Sequence, residues 1–89
     1  MTKLKSNHAR ALKLAATLLP DFEVIEEGSI NSCTDGSIIL WPVLNVLTIN
    51  FKSTGFFVLN RVDIIRRLVD MRLTVKKIGV DACYAEFSL

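Results

Sequence analysis

The sequence predicts an α+β fold in which two helices pack on one face of a mainly antiparallel sheet, in the order α-β-β-β-β-α-β. Three observations predict it. Two segments carry apolar residues at a helical period, the stretch between them alternates or runs apolar at strand length, and turn-forming Asp-Gly, Pro and Gly separate the pieces. With 89 residues the chain is expected to fold as one small domain over 1–89, because a chain this short rarely encloses two cores.

Ser6, Arg10, Lys13 and Thr17 draw one polar stripe, and Leu12, Leu14, Ala15, Leu18 and Leu19 fill the other sides of a helix over about 6–19. Ser6 or Asn7 is placed to cap its free first-turn amides, and Pro20 cannot continue it. His8, in the first turn, is expected at the surface or its boundary.

From Phe22 the helical period disappears. A strand is expected near 22–27 and a second segment near 29–33. Asp35-Gly36 is read as a hairpin turn, because glycine accepts the positive φ of a tight reversal, so 37–41 should run back antiparallel to what precedes it. Pro42, lacking a backbone donor, marks a bulge or strand end. VLNVLTINF then alternates as a strand over 43–51, with Leu47, Ile49 and Phe51 on one side and Val46, Thr48 and Asn50 on the other.

KSTG is expected to turn the chain, and FFVLN to pair back as the next strand. An RNA-recognition sheet spaces its aromatic rings two apart so that both project from one face. Here Phe56 directly follows Gly55 and Phe57 follows at once, so a strand would send one ring outward and one into the core. The run is therefore expected to be a core strand, not a base-stacking platform.

Asn60 and Asp63 resemble the start of a second helix that ends near Met71 or Arg72. Asp63, Arg66, Arg67 and Asp70 share its polar arc, and Val62, Ile65, Leu68 and Val69 the opposite one. The remaining residues read as a terminal strand, 74–78 continuing through a kink or bulge at Gly79 into 80–87.

Charge is segregated along the chain. Four basic residues and no acid occupy 1–20, five acids and no base occupy 21–35, and seven basic residues lie between Lys52 and Lys77. Such blocks attract one another within a fold or across a contact. Arg61, Arg66, Arg67, Arg72, Lys76 and Lys77 form the candidate basic binding surface, with guanidinium forks suited to carboxylates or phosphates. Against this, Asp63 with Arg67 and Arg66 with Asp70 have the spacing of ordinary i,i+4 pairs on a solvated helix. Trp41, beside Ile39, Val43 and Leu44, is a core or contact anchor and the apolar member of the candidate binding set.

Catalysis gathers groups of tuned proton affinity in a sheltered cleft. The single histidine, the isolated glycines and the unspaced Cys33 and Cys83 supply no such set, no phosphate-cradling loop and no metal-ligand spacing. No enzyme activity, cofactor or metal is expected. Two unpaired thiols fit a reducing cytoplasm, and the twelve-residue run IILWPVLNVLTI is shorter than the roughly 20 residues a membrane helix needs. By elimination, the expected function is a non-catalytic interaction protein, a small regulator or inhibitor that binds a larger protein partner and pairs with a second copy. Nucleic-acid binding through the basic helix surfaces is the alternative.

Overall fold

A computed structural model describes residues 5–29, 31, 34–53, 55–79 and 83–89. Its elements are α1 (Ser6–Leu18), β1 (Glu23–Ile25), β2 (Ser37–Trp41), β3 (Val46–Asn50), α2 (Gly55–Asp70), β4 (Thr74–Ile78) and β5 (Tyr84–Ser88). The five strands form one sheet in the order β1-β2-β3-β5-β4. All pairings are antiparallel except β1 with β2. The fold is α+β, with both helices on one sheet face.

That face holds the core. Ile38 and Leu40 of β2, Leu47 and Ile49 of β3, and Ala85 and Phe87 of β5 point toward the helices. Ala11, Leu12 and Ala15 of α1 meet them, together with Ile64, Ile65 and Leu68 of α2. Period two in the strands and period 3.6 in the helices therefore bury one set of side chains between two layers, where about 25 cal/mol per Å² of apolar area drives folding. Phe22 and Phe51 close one end with an edge-to-face contact, ring centroids 6.3 Å apart.

Several local expectations change. α1 occupies the span the polar stripe marks, but its N-cap is Lys5 and neither Ser6 nor Asn7 makes a capping bond. His8 is buried, 1% exposed, rather than at the surface. Gly36 does take a positive φ of 75°, yet no hairpin forms there: β2 runs parallel to β1. The Asp35-Gly36 corner fixes a local bend, while the partner strand is chosen by the sheet. The segment expected near 29–33 lies largely outside the described residues.

The tight hairpin is instead β2 to β3. Pro42 stands at the second position of a turn closed by the Leu44 amide donating to the Trp41 carbonyl at 3.1 Å, the place where its fixed φ fits. Asn45 completes the reversal at φ 53°. Strand β3 consequently starts at Val46 and not at 43.

FFVLN is helical, not a strand: it lies within the opening turns of α2. β3 is bonded to β2 on one side and to β5 on the other, so the slot beside it that FFVLN would have filled is taken by the C-terminal strand. The direction of the Phe56 and Phe57 rings lies outside the described residues. Among the described residues of α2, Ile64, Ile65 and Leu68 are buried, while Val62 and Val69, expected on the apolar arc, are exposed. The expected terminal strand is two strands, β4 and β5, paired antiparallel with an irregularity between Val75 and Lys77; residues 80–82 of the expected continuation past Gly79 lie outside the described residues.

α2 ends in a Schellman motif. The Leu73 amide donates to the Leu68 carbonyl at 3.1 Å and the Arg72 amide to the Val69 carbonyl at 2.9 Å, with Arg72 left-handed at φ 72°. The Arg10 guanidinium of α1 donates to the Met71 carbonyl at 3.4 Å, a cation at the negative end of a helix dipole.

A hollow on the helix-free sheet face

The face turned away from the helices carries Ile39 and Trp41 of β2, Val46, Thr48 and Asn50 of β3, and Tyr84 and Glu86 of β5. Alternation places them there, since Ile38, Leu40, Leu47, Ile49, Ala85 and Phe87 take the other side. Between them lies a hollow of about 550 Å³, floored by Val46, Thr48 and Asn50 and rimmed by Trp41, Leu44, Lys76, Tyr84 and Glu86.

Both aromatic walls rest on glycine. A Cβ on Gly28 would stand 2.7 Å from Cδ2 of Trp41, and one on Gly79 would collide with Cε1 and Cδ1 of Tyr84. Bare backbone at these two positions lets the rings lie close to the chain. Trp41 is pinned further, its Nε1–H donating to Thr48 Oγ1 at 2.9 Å. Asn50 is held by Nδ2–H donating to Ser37 Oγ at 3.3 Å, whose hydroxyl donates to the Thr34 carbonyl at 2.6 Å. The walls and floor are thus set before anything binds, which lowers the ordering cost of binding.

One flank is cationic. The irregularity in β4 leaves Lys76 without an opposite residue and sets Lys77 opposite Glu86, and the Lys77 ammonium stands 6.0 Å from the Tyr84 ring centroid. Glu86 in turn faces Thr48. A carboxylate therefore sits between the lysines and the floor.

Of the residues picked out from sequence, Trp41 and Lys76 meet at this hollow, with Lys77 beside it. Arg66 and Arg67 are exposed on α2, Arg61 is half-buried there, and Arg72 follows its C-terminus, all on elements of the helix layer or its end. Asp63 and Arg67 form the expected pair at 3.1 Å; Arg66 and Asp70 form none. Cys83 is exposed with a free thiol, and Cys33 lies outside the described residues. His8 Nε2 is hydrogen-bonded to Asn45 Oδ1 at 2.8 Å, tying α1 to the β2–β3 turn. Among the described residues no group of three or more His, Cys, Asp or Glu is placed to hold a metal ion, and no helix is long and apolar enough to cross a membrane.

The chain matches no protein-family model, no curated protein and no solved structure.

Sequence reasoning named Leu44 as a neighbour of Trp41 in a contact patch, and missed Val46, Thr48, Asn50, Tyr84 and Glu86 as site residues. The alternation that put Val46, Thr48 and Asn50 on one side of β3 was visible, but which side the helices would leave bare was not.

Proposed function

We propose that this protein is a non-catalytic protein-binding module, a small regulator or inhibitor that takes an apolar side chain of a larger protein partner into the hollow on its helix-free sheet face. One observation carries the reading. At the rim of the hollow the β2–β3 turn presents Leu44, 66% exposed, beside the fixed indole of Trp41, and Val43, 93% exposed, precedes it in the same turn. Exposed aliphatic side chains next to a rigid aromatic wall, bordered by Lys76 and Glu86, have the composition of an interface centre with a polar rim. The Glu86 carboxylate opposes phosphate here and suits a mixed-charge protein surface better.

The test compares retention of partners from native extract on the immobilised wild-type chain, Leu44→Asp and Arg67→Glu. Leu44→Asp is expected to lose a retained protein that Arg67→Glu keeps. Equal retention on all three, or binding of a labelled oligonucleotide that weakens steeply with salt, would overturn the reading in favour of another surface or of nucleic acid.

A further inference from the structure

A second unpartnered surface lies on α2, away from the hollow. Leu59, Val62 and Val69 are 84%, 59% and 44% exposed, and with Arg66 they follow the three-four-three spacing of a heptad seam. They form one continuous stripe along the solvent side, while Ile64, Ile65 and Leu68 face the sheet. Asp63 and Asp70 flank the stripe at the positions following Val62 and Val69; the Asp63 carboxylate already accepts from Arg67 of its own chain at 3.1 Å and keeps acceptor positions open for a second guanidinium. Among the described residues Arg66, in the middle of the apolar run, makes no ion pair.

We propose that α2 is a self-association surface, on which two copies of this chain pair through antiparallel α2 helices. Charge selects both the occupant and the direction. Parallel pairing would set Arg66 against Arg66 in the seam, where like charges repel. Antiparallel pairing about a two-fold axis sets Leu59 against Val69 of the second copy and brings each Arg66 beside the other copy's Asp63. The stripe is thus self-complementary in the one arrangement a closed two-fold dimer requires. Because α2 packs on the sheet face opposite the hollow, such a dimer leaves both hollows uncovered and gives a bivalent molecule. The pairing itself does not depend on what the hollow binds.

Sedimentation equilibrium of the full chain over a concentration range of about a hundredfold reads the assembly directly. The average mass is expected to rise above the 10.0 kDa of one chain toward twice that value. Leu59→Asp should remove the rise. Arg66→Asp should weaken association by about tenfold or more, and the double change Arg66→Asp with Asp63→Arg should bring it back to within about threefold of wild type. In a Cys33→Ser/Cys83→Ser background, Leu59→Cys mixed with Val69→Cys should oxidise to a disulfide-linked pair that Leu59→Cys alone does not form. Leu44→Asp should leave association unchanged, which separates this surface from the hollow. A chain that stays monomeric throughout, a dimer indifferent to Leu59→Asp and Arg66→Asp, a disulfide between two Leu59→Cys chains, or a dimer dissolved by Leu44→Asp would each overturn the proposal.

Discussion

Gly28 lies directly against the indole of Trp41: a Cβ there would stand 2.7 Å from Cδ2 of the ring and 2.6 Å from Cγ2 of Ile39. The smallest side chain cannot be added without moving the wall of the hollow. Gly28→Ala is therefore expected to push the indole outward and to cost about 1–3 kcal/mol through overpacking. Because the chain holds one tryptophan, its emission reports the change without a label. A shift to longer wavelength with a lowered denaturation midpoint is expected; an unchanged spectrum would show that the ring does not depend on the glycine.

His8 is buried and bonded to Asn45 across 37 positions of sequence. Replacing it by alanine removes the bond and leaves a gap beneath the first turn of α1. His8→Ala should lower stability by about 2 kcal/mol, a lost buried hydrogen bond plus a cavity. Urea unfolding followed by circular dichroism checks it, and a loss below about 0.5 kcal/mol would put the histidine outside the packing that holds the turn.

Arg72 occupies the left-handed position after α2, where glycine avoids a steric cost of about 1–2 kcal/mol. The bonds that close the helix there are backbone bonds and survive substitution. Arg72→Gly should raise stability by about 1 kcal/mol once the greater freedom of glycine in the unfolded chain is subtracted. A lower unfolding midpoint would mean that the guanidinium contributes more than its backbone costs.

β4 is an edge strand, and open edges pair with other chains unless blocked. Here the register shift between Val75 and Lys77 and two exposed lysines interrupt the edge. Lys76→Val with Lys77→Val should produce turbidity or thioflavin-positive material at concentrations where the wild-type chain remains clear. If the double variant stays clear, the irregular register alone protects the edge.

Sequence periodicity alone was sufficient for the layers. The span of α1, strand β2 at 37–41, the end of α2 and the two sides of β3 follow from local rules, because each element's burial pattern is written at its own period. FFVLN shows where such rules stop. Its aromatic and branched residues suit a strand, yet the place beside β3 is held by Tyr84–Ser88, more than twenty residues further along, and the run extends a helix already favoured by Ile64, Ile65 and Leu68. The parallel pairing of β1 with β2 is of the same kind, since Gly36 makes a corner but does not select a partner.

The candidate site divides in the same way. The sequence itself determined that Trp41 stands among exposed-capable aliphatics, that Lys76 and Lys77 are adjacent, and that Val46, Thr48 and Asn50 share a side. Only the tertiary structure decided that both helices take the opposite face, that Gly28 and Gly79 pass under the two rings, and that Arg66 is left without an ion pair among the described residues. The reason is physical: side-chain direction is set within a few residues of backbone, whereas which face is covered depends on contacts between segments far apart in the chain.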